Sequence, residues 1–225
     1  SPKDKLSATV YSEDQEAFKL WKKVAGLSES KIVKISTSDN FWSMGETGPC
    51  GPCSEIFYDH GDKLKGGPPG SPNQDGDRFI EIWNLVFMES IQDQPFQVID
   101  ELPTKNIDTG MGLERMAMIM QDKENLFDTD LFKPLHDSLL TQVTENNDKY
   151  EKIIIDHIKS ATFMISDGVV PTNEGRGYVL RRLIRRAIRA YNQLNSTNSS
   201  LDFLIEIVIN MYATSYPELE GNKVK

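Results

Sequence analysis

The stretch MGETGPCGPCSEIFYDHG, residues 44–61, holds both cysteines of the chain, Cys50 and Cys53, and one of its three histidines, His60. Three chemistries fit these residue types. A Cys-x-x-Cys pair is a redox motif when it opens a helix, whose dipole lowers the thiol pKa. Cys50, Cys53 and His60 supply three of the four ligands that a structural zinc site takes. The same glycine- and proline-rich string also makes a tight wall for some other pocket. The residues that follow, SEIFYD, alternate and are β-rich, which predicts a strand where a redox site needs a helix. Lys63 is no metal ligand, so Asp59 or Asp62 would have to complete a zinc set. The reading favoured by the sequence is a glycine–proline turn shaping a pocket wall, with the thiols buried or half-buried and zinc only a weak alternative.

A second group of residues is legible by charge. RGYVLRRLIRRAIR, residues 176–189, holds six arginines and no acid, in a chain of net charge −9. The remainder carries 19 basic and 34 acidic side chains, or −15. On a helix turning about 100° per residue from Leu180, Arg181, Arg182, Arg185, Arg186 and Arg189 fall between about 100° and 240°. Leu180, Leu183, Ile184, Ala187 and Ile188 fall between about 300° and 80°. The faces do not mix: an apolar stripe docks and an arginine stripe faces outward. The arginines either form ion pairs with this acidic protein or bind the phosphates of a nucleic acid. The absence of any interleaved acid favours phosphate.

Elements must position these groups. The chain has 225 residues, 38% of them apolar and 26% charged, which is ordinary for a globular protein with one large domain or two small ones. No apolar run is long enough to cross a bilayer. The cysteines cannot make a disulfide framework, which implies a reducing compartment. The first residue is Ser and no signal pattern follows. DQEAFKLWKKVAG has helical spacing, with Gly26 as its stop. KIVKIS reads as a short strand, RFIEIWNLVFMES as a buried strand, and PFQVIDE and TKNID as two further strands. Residues 61–78 form a long Gly/Pro/Asp/Asn loop, and GLERMAMIMQD turns helical. After about residue 128 four helical segments follow, in residues 129–145, 149–168, 177–194 and 200–215. The fold class expected is therefore α+β: a sheet-rich part over residues 1–127, then an all-α part over residues 128–225.

DNFWSMGETGPCGPCSEIFYDHG, GGPPGSPNQDGDRFIEIWNLVFM, LPTKNIDTGMGLERM and DHIKSATFMISDGVVPTNEGRGYVLRRLIRRAIR together resemble the alanyl-tRNA synthetases, a class II family, over nearly the whole chain. The resemblance implies an antiparallel sheet flanked by helices and then a helical tRNA-recognition region. It implies an alanine–tRNA ligase that joins alanine to ATP, with Mg2+, and passes it to the 3′ end of alanine tRNA, in the cytoplasm, an organelle being left open. Of the three class II motifs only the third, DTGMGLERM, is present; motif 1 and the ATP-gripping arginine of motif 2 are not in this sequence. The chain on its own is therefore expected to be nearly inactive. The alternative is a non-catalytic, synthetase-like RNA-binding module.

By resemblance Asp108 holds the alanine ammonium and Arg115 meets the γ-phosphate of ATP. From the residues alone, Asp108 reads rather as a helix cap or turn aspartate, and Arg115 as an exposed helix arginine paired with an acid. Gly110 and Gly112 let backbone approach a ligand closely or simply make a tight turn. Asn84 and Val86 are two apart on a strand and share a face; the resemblance puts both in the alanine pocket with Trp42. The alternative is sheet core, but a polar Asn amid apolar neighbours needs a partner, which favours a pocket; for Trp42 core and pocket fit equally. Glu81, by alternation, points away from Asn84 unless a bulge intervenes, which disfavours it as a magnesium ligand. Among the basic residues, Arg176 and the helix arginines are tRNA-binding candidates. Asn173 would read an acceptor-stem G·U pair in the shallow groove of RNA, or serve as a turn asparagine.

Overall fold

The structure is a computed structural model that describes residues 2–195 and 200–223. The chain divides into two compact units, Ser1–Met120 and Gln121–Lys225. Among the described residues no helix is long and apolar enough to cross a membrane.

The first unit is built on a six-stranded sheet. Its strands are β1 (Leu6–Tyr11), β2 (Ile32–Ile35), β3 (Phe41–Ser43), β4 (Gly48–Asp59), β5 (Phe79–Gln94) and β6 (Gln97–Met111). The order is β2-β1-β4-β5-β6, with β3 on β4; only β1 and β2 run parallel. Helix α1 (Gln15–Leu20) starts at Asp14, whose carboxylate accepts from the Ala17 N–H at 2.8 Å. It continues as a π turn to Ala25 and stops at Gly26, which takes φ 68°, a conformation glycine enters without penalty. Ala17, Val10 and Ile32 form a small core with Phe18, Trp21, Leu27 and Phe87. These are α1 residues and one set of alternating strand positions, so α1 covers one face of the sheet and the other set of positions looks the opposite way. Helix α2 (Leu113–Met120) follows β6.

Three sequence expectations change. PFQVIDE and TKNID are one strand, β6, with Pro103 inside it. The pairing to β5 jumps from Met88↔Asn106 to Ser90↔Glu101, so Pro103 sits at a bulge on a strand that pairs on one side only, where its missing N–H costs no ladder bond. Strand β5 is half-buried, not buried: only Ile82, Val86 and Gln92 are fully shielded, because its neighbour β6 is itself exposed along almost its whole length. CGPC is not a turn but the start of β4; the turn is at residues 44–47, closed by the Met44 N–H donating to the Pro49 carbonyl. Gly51 explains the composition. A Cβ there would lie 1.9 Å from the Phe87 carbonyl oxygen, so the backbones of β4 and β5 pass too closely for any side chain.

The second unit is helical: α3 (Lys133–Leu140), α4 (Asp148–Ser166), α5 (Gly175–Asn192), α6 (Asp202–Tyr212) and the short α7 (Glu218–Gly221). Its core gathers Leu135 and Leu139 of α3, Ile154, Ile155 and Ile158 of α4, Ala187, Ala190 and Tyr191 of α5, and Leu204 and Val208 of α6. Asn147 caps α4 by accepting from the Tyr150 N–H, while Glu151 accepts from the Asn147 N–H at 2.7 Å and pairs with His136 at 2.8 Å.

Gly51→Ala is expected to destabilise the first unit by about 1–3 kcal/mol through the forced separation of two backbones. Urea melts of the variant and the parent chain check this; an unchanged midpoint contradicts it.

Candidate functional site

The pairing of β4, β5 and β6 builds one face of the sheet rung by rung. Residues directly opposite each other in an antiparallel pair share a face. One rung is Cys53–Val86–Asp108 and the next is Glu55–Asn84–Gly110. Beyond these the register slips: Ile56 pairs with Trp83, but Phe57 pairs with Glu81. Ile82 is the extra residue of a bulge. The bulge turns Glu81 onto the face of Asn84, so the expectation that alternation separates them is corrected. Asn84, Val86, Asp108, Gly110 and Glu81 therefore stand on one face with Cys53 and Glu55. Trp42 of β3 is half-buried and pairs with Gly51 on β4, two residues before Cys53.

Asp108 is exposed and lies within β6; α2 starts only at Leu113, so Asp108 is no helix cap. Asn84 is half-buried, and its Oδ1 is buried with no hydrogen-bond partner among the described residues. Such an orphan acceptor is costly unless something else supplies the donor. Gly112 makes the corner: its N–H donates to the Ile82 carbonyl at 3.2 Å, and a Cβ there would sit 3.3 Å from the Arg115 side chain. Gly110 has no such neighbour. Arg115, on the first turns of α2, donates through Nη1 to the Glu81 carbonyl at 2.7 Å and to its Oε2 at 3.1 Å. The bulge thus aims the carboxylate that holds this guanidinium. The pairing is partly exposed and acts mainly as a guide to orientation.

A buried network stands behind the face. The Asn40 Nδ2 donates to Thr9 Oγ1 at 2.8 Å and to the Cys53 carbonyl at 2.9 Å. Thr9 Oγ1 donates to Glu55 Oε2 at 3.1 Å. The Glu55 carboxyl is pushed up to about 7, first by burial and then by the Glu81 carboxylate, with smaller effects from Thr9, Asp39 and Arg115. Glu55, Asp39, Phe57, Phe79 and Gln74 also line a pocket of about 310 Å³ beside residues 61–78. That loop is tied at its base by Arg78, which forks onto Asp59 at 2.7 and 3.0 Å; the guanidinium holds the Asp59 carboxyl below its usual range. Glu55 was open to sequence reasoning, being two residues past Cys53 on an alternating strand. Thr9 and Asn40 were not, because nothing local marks contacts across 46 and 31 residues.

Cys50 and Cys53 are both buried and unbridged. Three residues apart on a strand, they point to opposite faces, and His60 lies seven residues beyond Cys53, roughly 23 Å at ~3.3 Å per residue along a strand. The strand geometry keeps the three from converging on one ion. Among the described residues no group of three or more metal-ligating side chains comes together. Burial raises the Cys50 thiol; burial, then Glu55, Glu81 and Asp39, push Cys53 up to about 12. A thiol so far from ionisation is no nucleophile at neutral pH.

In the helical unit, Tyr178, Arg181, Arg182, Arg185, Arg186 and Arg189 line a cleft of about 230 Å³ on α5. Arg182, Arg185, Arg186 and Arg189 are exposed, as is Arg176 before them. Among the described residues none of the ion pairs involves an arginine of this helix. The opposite stripe is buried at Leu180, Ala187, Ala190 and Tyr191. Ile188, expected in that stripe, is 47% exposed: at about 80° on the wheel it falls on the margin of a stripe centred near 340°. Asn173 is exposed just before α5, and its Oδ1 accepts from Arg181 Nη1 at 2.6 Å.

With this geometry in hand, comparison with known proteins is specific. The family model for tRNA synthetases class II (A) matches residues 1–225. The alanine–tRNA ligase of Gluconobacter oxydans is 54% identical over 222 residues, covering 97% of this chain and 25% of that protein. That of Rhizobium johnstonii is 54% identical over 220 residues, with the same coverage, and that of Pseudoalteromonas translucida is 52% identical over 220 residues. The chain spans about a quarter of the length of the curated relatives it matches.

Two outcomes follow from the buried groups. The folded chain keeps the Glu55 proton up to about pH 7, whereas an unfolded glutamate releases it near 4.3. Stability therefore falls as pH rises between those values, and Glu55→Gln, which can still accept from Thr9, flattens that fall in urea melts taken across the window. Both thiols should react with iodoacetamide at pH 8 at least about 100-fold more slowly in the folded chain than in urea; equal rates contradict their burial.

Proposed function

The chain belongs to the class II tRNA synthetase family, and we propose that its sheet unit holds alanine and ATP while its helical unit presents arginines to alanine tRNA. The observation that carries this reading is the convergence of Asp108, Asn84 and Val86 on one sheet face, with Arg115 at the corner beyond. Asp108 takes the alanine ammonium, a charge-assisted pairing worth about 1.5–3 kcal/mol. Val86 and Trp42 wall the space for a methyl group, Gly110 leaves the approach open, and the orphan Asn84 Oδ1 accepts from the substrate. Arg115, turned by Glu81, meets the γ-phosphate, for which a guanidinium fork is suited.

In this reading the alanine carboxylate attacks the α-phosphorus of ATP, pyrophosphate leaves, and the alanyl group then passes to the terminal ribose of the tRNA; this chain supplies motif 3 but not the motif 2 arginine, so by itself it is inactive or nearly so. No side chain forms a covalent intermediate; the residues act by positioning and by charge. Mg2+ would arrive on the nucleotide phosphates, since this ion is usually held by one or two carboxylates plus phosphates. Glu81, brought to this face by the bulge, is the carboxylate within reach of that role. The pocket's size discriminates modestly, since one methylene is worth about 1–3 kcal/mol. The exposed arginines of α5, none of them in an ion pair among the described residues, support binding to RNA phosphates, in the cytoplasm.

Calorimetry with two ligands tests the assignment. Asp108→Ala should weaken binding of an alanyl-sulfamoyl adenosine at least tenfold. Arg115→Ala should leave that ligand's affinity within about twofold, because it has no γ-phosphate, yet weaken ATP by tenfold or more. Wild-type affinity of the Asp108 variant for the adenylate mimic contradicts the reading.

A further inference from the structure

Arg181 differs from the other arginines on its face. It is half-buried, where Arg182, Arg185, Arg186 and Arg189 are exposed. Its Nη1 donates to Asn173 Oδ1 at 2.6 Å; the Tyr178 ring does not set it apart, lying 5.6 Å from its guanidinium carbon and 5.8 Å from that of Arg182. The protein itself thus occupies this fork. The loop carrying Asn173 is held as well. Thr172 Oγ1 donates to the Glu174 carbonyl at 2.8 Å. A Cβ on Gly177 would fall 2.2 Å from Thr172 Oγ1 and 2.3 Å from the Val170 carbonyl oxygen, so the loop lies flat against the first turn of α5.

An asparagine amide has an accepting end and a donating end. Arg181 can only donate, so Oδ1 is the end it holds and both N–H groups of Nδ2 are left for another partner, on a residue that is exposed. Released from Arg181, the amide could turn about its last torsion and offer either end. We infer that Arg181 is a positioning residue that fixes the Asn173 amide so that it offers N–H donors to RNA, and that it is not itself a phosphate contact. The groups such donors meet in the shallow groove of an RNA helix are pyrimidine O2, purine N3 and the ribose 2′-hydroxyl; G·U and G·C pairs both present them, but the wobble shift moves the uracil O2 away from the position of a cytosine O2, so donors held in one place tell the two pairs apart. The inference rests on the reading that this helix face binds RNA, and it separates one arginine from its neighbours by role.

The experiment uses the 225-residue chain and two labelled RNA hairpins of acceptor-stem length, identical except for one pair, G·U or G·C. Dissociation constants are taken by fluorescence anisotropy across a salt series. The wild type should separate the hairpins by about tenfold, the scale of one hydrogen-bonded base contact. Arg181→Ala and the charge-keeping Arg181→Lys should bring that ratio to within about twofold, with the slope of log Kd against log salt unchanged. Asn173→Ala should lose the ratio equally, and the Asn173→Ala/Arg181→Ala double variant should lose no more, because the two act as one unit. Arg185→Ala/Arg186→Ala should keep the ratio and reduce the slope by roughly two. Circular dichroism at each variant confirms that the helices remain. If Arg181→Ala lowers the slope by about one and keeps the ratio, Arg181 is a phosphate contact and the inference is overturned. If the wild type binds neither hairpin, the RNA reading falls and takes the inference with it; if it binds both alike, Asn173 reads no base and the inference alone falls.

Discussion

The register between β4 and β5 is the constraint on which the first unit depends. Side chains on a strand alternate with a period of two, so a one-residue slip sends every later side chain to the other face. Here the slip is built in at Ile82, between the Ile56↔Trp83 and Phe57↔Glu81 pairs. Upstream and downstream residues that parity would separate, Glu81 and Asn84, come to stand together. Arg115 then finds both a carbonyl and a carboxylate of the same residue, and the strand–helix corner acquires a fixed guanidinium. The close approach at Gly51 serves the same pairing from its other end.

Charge is distributed with equal consequence. The site face carries Glu55, Glu81 and Asp108; burial first, and then the Glu81 carboxylate, push the Glu55 carboxyl up to about 7. Six of the chain's eight arginines are gathered on one helix of the other unit, and among the described residues none of the six is in an ion pair. A net charge of −9 averages over these two regions and describes neither.

The Cys-Gly-Pro-Cys string owes its composition to packing. Gly51 is required by the Phe87 carbonyl, Cys50 and Cys53 are small apolar fillers on opposite faces, and the desolvated thiols stay protonated. Free cysteine commonly behaves as a buried hydrophobe, and the strand that SEIFYD announces extends back through the motif.

Much of this was legible in the chain itself. Helical spacing with a Gly26 stop, the β-rich run from Phe79, the loop at 61–78, the shared face of Asn84 and Val86 and the two-faced arginine helix all follow from local periodicity, and the structure has each of them. Class II membership was legible too, in long strings such as DTGMGLERM and PTNEGRGYVLRRLIRRAIR. Local pattern did not reach the bulge at Ile82, the merging of β6 through Pro103, the Thr9–Asn40–Glu55 network or the bond from Arg181 to Asn173. Periodicity states which side of its own element a residue faces. Only the pairing of distant strands, and the folding of a loop back on its helix, decides which other residues stand there.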